Sequence, residues 1–167
     1  SLILKIKKNS NLKLQLVVTG SHLSKEHGYT ISEIYEDGFK VNEIIKIVGH
    51  ESNPINLIKS SSKALSGYAK CFKRLKPDLI LILGDRYEIF CAAYTGVVFG
   101  IPIAHLHGGE VTQNSYDESF RHAISKLSQI HFSSTETYRK RIIQLGESSK
   151  NVHNIGTVGL EDIKNFA

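Results

Sequence analysis

Leu79-Ile80-Leu81-Ile82-Leu83-Gly84-Asp85-Arg86-Tyr87-Glu88 is the stretch whose reading decides the fold. Five unbroken apolar residues have the length and character of a strand buried on both faces, as strands of a parallel sheet are. A glycine and a charged cluster follow at once. The arrangement recurs downstream, where Ile101-Pro102-Ile103-Ala104 leads into His105-Leu106-His107-Gly108-Gly109-Glu110. A third cluster, Asp117-Glu118-Ser119-Phe120-Arg121-His122, opens a helical pattern. Carboxylates and imidazoles directly after apolar runs sit outside the carboxyl ends of the strands, where open parallel sheets bind ligands.

Outward from this stretch, strands and helices alternate. Toward the N-terminus, the spacing predicts a short helix at Leu2–Ile6, a strand from Leu12 to Thr19 and a break at Gly20-Ser21-His22. A polar loop to Thr30 follows, then a short helix over Ile31–Glu36 closed by Gly38, and a weaker strand over Phe39–Val48. Pro54 opens a long helix that Pro77 stops, with Leu57, Ile58, Leu65, Tyr68, Ala69 and Phe72 as its apolar stripe. Toward the C-terminus come a helix over Tyr87–Phe99, apolar on most sides and so expected to be well buried, and a strand over Ile101–Leu106. A helix over Asp117–Ser128 follows, with Asp117 or Ser115 near its cap. A strand at Ile130–Phe132, a helix over Thr135–Leu145 closed by Gly146, and a strand at Val152–Ile155 complete the chain. Such alternation means βαβ units and a doubly wound parallel α/β sheet.

The 167 residues suit about one domain. Hydrophobic content of 41% and charge of 22% are ordinary for a globular protein, and no apolar run approaches the ~20 residues of a membrane helix. The chain starts at Ser1 and contains no Met, which reads as less than a whole reading frame. The net charge of +5 is spread over small clusters such as Lys70-Lys73-Arg74-Lys76. These read as solvated helix faces rather than a nucleic-acid patch, and a mild positive field suits a phosphorylated small substrate. Cys71 and Cys91 have no paired spacing, which reads as two buried thiols in a reducing cytoplasm.

Each cluster has a plain reading beside a functional one. Asp85 is either an N-cap for the helix starting near Tyr87 or a carboxylate aimed at a ligand, and the two are compatible. Arg86 can clamp a phosphate or carboxylate in bidentate fashion. His105 and His107, two apart on a strand, would share a face and could begin a metal site, although no complete ligand motif accompanies them. Gly108-Gly109 is a tight turn or a close approach of backbone to ligand. Asp117 with Arg121, and Glu118 with His122, stand at i, i+4 and could form ordinary helix ion pairs.

Four segments occur in order: Val17-Val18-Thr19-Gly20-Ser21-His22-Leu23-Ser24, Gly84-Asp85-Arg86-Tyr87-Glu88, His105-Leu106-His107-Gly108-Gly109-Glu110 and Asp117-Glu118-Ser119-Phe120-Arg121-His122-Ala123-Ile124. With the tail Tyr138–Glu147 they cover nearly the whole chain. On them the chain resembles the N-terminal half of the hydrolysing UDP-N-acetylglucosamine 2-epimerases of bacterial sialic-acid and related nonulosonic-acid synthesis. The Asp-Glu-Ser-Phe-Arg-His stretch is similar to the hydrolysing branch; the non-hydrolysing branch usually reads Pro-Glu-Glu-x-Asn-Arg there.

The resemblance implies two Rossmann-like domains facing across a cleft, in the GT-B arrangement. Residues 1–167 would be the first domain, without its opening strand and without the second domain. It implies conversion of UDP-N-acetylglucosamine and water to N-acetylmannosamine and UDP, by elimination of UDP to a glucal and addition of water with inversion at C2. No cofactor and no metal are implied. Asp85, Glu110 and Asp117 would be catalytic; His22, Arg86, Glu88, His107, Gly108, Gly109, Glu118, Arg121 and His122 would bind substrate or hold the site. Animal bifunctional relatives and non-hydrolysing enzymes carry a carboxylate where His107 stands, so His107 and Glu110 both qualify for the second catalytic position. The expected partner is a UDP-sugar, with no nucleic acid and no membrane, in a cytoplasmic homo-oligomer, dimer or tetramer. The isolated fragment is expected to be inactive. A UDP-2,4-diacetamido-2,4,6-trideoxy sugar is the alternative substrate. A nucleotide-sugar binding module without chemistry and a metal hydrolase are the competing classes.

Overall fold

A computed structural model describes residues 2–25, 28–47, 53–113 and 115–158. The chain divides into two compact units, Gln15–Pro77 and Asp78–Ala167 with Ser1–Leu14.

The first unit carries β1 (Leu16–Thr19), α2 (Ile31–Glu36), β2 (Val41–Ile45) and α3 (Pro54–Leu75). β1 and β2 pair in parallel. β1 begins four residues later than the alternation suggests, because the ladder starts only where Leu16 meets Val41; the Leu16 amide itself donates to the Asn42 side chain (2.9 Å). β2 is shorter than the span expected. Phe39 is committed to closing α2, its amide donating to the Ile34 carbonyl while that of Gly38 donates to Tyr35. Val48 lies outside the described residues. α3 starts as its sequence directs, with Asn53 accepting from the Asn56 amide and Pro54 in the first turn. It ends at Lys76, in the left-handed region before Pro77. Its buried set is Ser60, Ala64, Tyr68, Cys71 and Phe72 rather than the wider stripe expected, and Ile58 faces solvent.

The second unit carries α1 (Leu2–Lys8), β3 (Ile80–Leu83), α4 (Tyr87–Val98), β4 (Ile103–Leu106), α5 (Asp117–Leu127), β5 (Ile130–Ser133), α6 (Glu136–Gln144) and β6 (Val152–Asn154). The four strands pair in parallel in the order β3-β4-β5-β6. α4 packs on β3 and β4 and against α5; α5 packs on β4, and α6 on β5 and β6. β4 starts at Ile103 because Gly100, at φ +68, turns the chain out of α4 and spends the Ile101 amide on the Gly96 carbonyl. α4 departs from the expected full burial. Two of its sides meet the sheet and α5, while Tyr94, Val97 and Val98, with the following Phe99, face solvent.

The core of this unit is Ile80, Ile82, Ala92, Ala93, Ile103, Ile124, Ile142 and Val152. Burial of one such aliphatic side chain contributes roughly 1.5–3 kcal/mol. No helix among the described residues is long and apolar enough to cross a membrane. Both units are parallel α/β, the class expected from the alternation.

Candidate functional site

Three adjacent strands of the second unit end beside one another, and each is followed by residues of the site. After β3 come Gly84 and Asp85, after β4 come His107 to Glu110, and after β5 comes Ser134. One side chain from α5, Arg121, ties them together. Its residue is only 6% exposed, and its Nη2 pairs with Asp85 Oδ2 and donates to Thr112 Oγ1 (2.7 Å). Its Nη1 reaches Glu110 Oε2 at 3.4 Å. Asp85 and Glu110 thus share one guanidinium fork, although they lie 25 residues apart in sequence. Leaving such a buried charge without its partners costs about 3–5 kcal/mol, so the pairs fix one another.

Glu110 is tied to three side chains. Besides Arg121, its Oε1 accepts from the Ser134 hydroxyl (2.6 Å) and from His107 Nδ1 (2.8 Å). A carboxylate only accepts, so His107 carries a proton on Nδ1, and in the neutral ring Nε2 holds a lone pair. That Nε2 is buried and has no hydrogen-bond partner among the described residues. His107 sits at φ +65, a conformation uncommon for a non-glycine residue and one that an active site can store.

His105 does other work. It is fully buried; its Nε2 donates to the Gly84 carbonyl (2.9 Å) and its Nδ1 accepts from the Ser125 hydroxyl (3.2 Å). Burial pushes its pKa down to about 4, against the opposing pull of the Gly84 carbonyl, so the ring is neutral at pH 7. Both nitrogens are committed, which removes the metal pair considered for His105 and His107. His105 instead fixes the turn that carries Asp85. Gly108 belongs to the same packing: a Cβ there would lie 2.8 Å from Ser125 Oγ and 3.0 Å from His105 Nδ1. A Cβ on Gly109 would lie 2.5 Å from the Tyr138 carbonyl, and the Gly109 carbonyl accepts from Arg141 (2.9 Å). The space a side chain would need at either glycine is filled by the protein itself.

The i, i+4 pairs expected on α5 divide. Glu118 does meet His122 (3.0 Å), and its other oxygen accepts from the Thr112 amide (2.7 Å). Burial alone would raise the Glu118 carboxyl, but the Thr112 amide and His122 outweigh it and hold it below the usual carboxylate range. Arg121 turns from Asp117 toward Asp85 and Glu110, because two strand-end carboxylates share its buried fork whereas the half-buried Asp117 would offer only one. Asp117 exchanges hydrogen bonds with Ser115 instead: the Asp117 amide donates to Ser115 Oγ (3.2 Å), whose hydroxyl lies 3.1 Å from Asp117 Oδ2. The N-cap position of α5 is Tyr116, and that of α4 is Arg86 rather than Asp85. Arg86 Nε pairs with the buried Glu88 (2.8 Å). His22 belongs to the other unit, on a single turn of 3₁₀ helix, exposed, with its Nδ1 2.7 Å from Thr30 Oγ1.

Thr112, Ser125 and Ser134 are absent from the residues singled out in the sequence. Ser134 directly follows β5, whose sequence Ile-His-Phe-Ser is not the apolar run that marks Asp85, and a lone serine there carries no charge to draw attention.

A parallel α/β chain with carboxylates and imidazoles gathered at its strand ends is of the Rossmann-like class. The family model described as UDP-N-acetylglucosamine 2-epimerase matches residues 4–167, and the chain belongs to that family. It is 46% identical over 161 residues to the GDP/UDP-N,N'-diacetylbacillosamine 2-epimerase (hydrolyzing) of Campylobacter jejuni, covering 96% of this chain and 42% of that protein. It is 38% identical to the polysialic acid biosynthesis protein P7 of Escherichia coli, covering 96% of this chain and 41% of that protein. The chain thus spans about two fifths of the length of these curated relatives. The crystal structure of the UDP-GlcNAc 2-epimerase of Neisseria meningitidis bound to UDP-GlcNAc superposes with a TM-score of 0.82 at 24% identity, covering 98% of this chain and 45% of that one. Another UDP-N-acetylglucosamine 2-epimerase gives 0.83 at 20% identity, covering 98% of this chain and 45% of that one.

Proposed function

We propose that the protein to which this chain belongs is a hydrolysing 2-epimerase of a UDP-2-acetamido sugar, and that this chain supplies its acid–base centre. The observation that carries the reading is Arg121 holding Asp85 and Glu110 together, with Glu110 in turn orienting His107. Elimination of UDP removes a proton from C2 and passes through a centre with positive character at C1. Re-addition of water puts hydroxyl on C1 and a proton on C2 from the other face. That sequence needs a base, an acid and a carboxylate beside the developing charge. We assign proton transfer to His107 Nε2, a reading supported by the bond from Nδ1 to Glu110, which fixes the tautomer. Asp85 stands at the strand end for charge support or for the opposite proton transfer. Asp117 is farther from this constellation in its bonding and takes a substrate-facing role, with Arg86, Glu88, Glu118, His122 and His22 as further binding groups. Gly108 and Gly109 serve by letting the loop pack tightly beneath them.

UDP-N-acetylglucosamine is the first substrate to test. UDP-N,N'-diacetylbacillosamine is the second, favoured by relatives at 46% and 36% identity that are named for it. The setting we infer is a cytoplasmic, sugar-supplying enzyme, including sialic-acid-type synthesis, acting as a homo-oligomer. The exposed Tyr94, Val97 and Val98 of α4 provide an apolar surface for self-association, which the solution mass would report. The test is to incubate the complete protein with each sugar nucleotide and measure UDP and free 2-epimerised sugar. Release of both from at least one substrate is expected. Intact epimerised UDP-sugar without hydrolysis, or no turnover of either, would refute the reading.

A further inference from the structure

A groove of about 450 Å³ in the Gln15–Pro77 unit runs between the edge strand β2 and the helix α3. Among the described residues it is lined by four cations, Lys46, Lys63, Lys70 and Arg74, and one carboxylate, Glu43. We propose that this groove binds a small polyanion carrying two or more phosphate or carboxylate groups.

The placement begins with helical spacing. Lys63, Ser66, Lys70 and Arg74 fall at i, i+3, i+7 and i+11 on α3 and so share one face. Gly67 lies in the same stripe and lets that face come close to β2: a Cβ there would stand 2.5 Å from Ile45 Cγ2. The close approach turns a row of helix cations into one wall of a groove and brings Lys46, at the end of β2, to the opposite wall. Glu43 is already spoken for, since Arg74 pairs with it and also donates to the Asn42 carbonyl (3.0 Å). Among the described residues Lys46, Lys63 and Lys70 have no carboxylate partner. With no carboxylate partner among the described residues, these three exposed ammonium groups favour the entry of an anion, and a concave wall focuses their field inward. The Ser66 side chain adds a neutral donor. A flat or convex basic face would suit a membrane or a nucleic-acid backbone; two facing walls suit a compact anion. The groove contains none of the residues of the strand-end site.

The experiment uses inorganic tripolyphosphate and citrate as probes, titrated into the complete protein at low ionic strength by calorimetry, with backbone amide shifts recorded by NMR. Saturable binding is expected, with shifts at Lys46, Lys63, Gly67 and Lys70. A tighter response to tripolyphosphate assigns phosphate as the preferred group, and a tighter response to citrate assigns carboxylate. Lys63→Glu/Lys70→Glu should weaken binding by about tenfold or more. Lys63→Gln/Lys70→Gln, which removes charge without reversing it, should weaken it less while the amide spectrum stays folded. Unaltered affinity in both variants, shifts confined to Gly84–Glu110, or a linear response without saturation would overturn the proposal. Shifts at Gly84–Glu110 alone would leave the epimerase reading standing, so the two ideas fail separately.

Discussion

Arg121 is the residue on which the site turns, yet its own α5 neighbour Asp117 is the partner it leaves. Its removal should be felt as both stability and rate, whereas His107 offers a cleaner probe. Asn tolerates a positive φ and puts an amide N–H where Nδ1 stands, so His107→Asn keeps the bond to Glu110 and deletes only Nε2. We predict a kcat lower by about 10²–10⁴ with a melting temperature close to that of the parent, measured as UDP release by the complete protein. An unchanged kcat would move proton transfer to another group. His105 gives a prediction in pH. Its folded pKa of about 4 lies below the ordinary 6.5, so the unfolded chain takes up the proton first as pH falls. The stability it contributes is complete above about 6.5 and is lost progressively toward 4. His105→Gln keeps a donor for the Gly84 carbonyl but does not titrate. The drop in urea midpoint between pH 7 and pH 5 should therefore be smaller in the variant; an equal drop would contradict the account. Some slope should remain, because burial also lowers His131.

At the scale of the elements, two glycines distinguish packing from conformation. Gly96 in α4 and Gly109 after β4 would both bring a new Cβ into contact. At Gly96 the nearest atoms are side-chain ends, Ile80 Cδ1 at 2.7 Å and Ile103 Cδ1 at 3.1 Å, which give more readily than backbone, and Ala is the better helix former. At Gly109 the obstacle is the Tyr138 backbone carbonyl and φ is +76. Gly96→Ala should change stability by less than about 1 kcal/mol, and Gly109→Ala should cost about 2–4 kcal/mol, read from chemical unfolding. Similar losses in both would contradict this distinction. The elements were largely legible in sequence, because apolar runs, Pro54 and Pro77 act locally; the cap Asn53 went unread. What was not legible depends on partners distant in sequence. Ile101 looks like strand but its amide closes α4, the Leu12 amide turns back to the Asn9 carbonyl, and α4 is apolar on a side the domain leaves open. The site divides the same way. Asp85, His107 and Glu110 announce themselves by following apolar runs. The choice of Arg121's partner, and the support from Thr112 and Ser134, arise only once three strands lie side by side.

At the scale of the whole molecule, the chain spans about two fifths of its curated relatives, and its Asp78–Ala167 unit holds the proposed acid–base centre. The 167-residue chain on its own should release no UDP from either sugar nucleotide; steady release by the purified chain would show that nothing further is needed. The central claim is that the Asp85–Arg121–Glu110–His107 constellation exchanges the C2 proton while UDP departs. The most direct measurement is to run the complete protein in D₂O and locate deuterium in the released sugar by NMR and mass spectrometry, for the parent and for Asp85→Asn. The parent should give a free 2-epimerised sugar with one deuterium at C2. Asp85→Asn, which keeps the size of the side chain but loses its charge, should form that product about 10²–10⁴ times more slowly. Released sugar without deuterium at C2, or an Asp85→Asn enzyme as fast as the parent, would contradict the account.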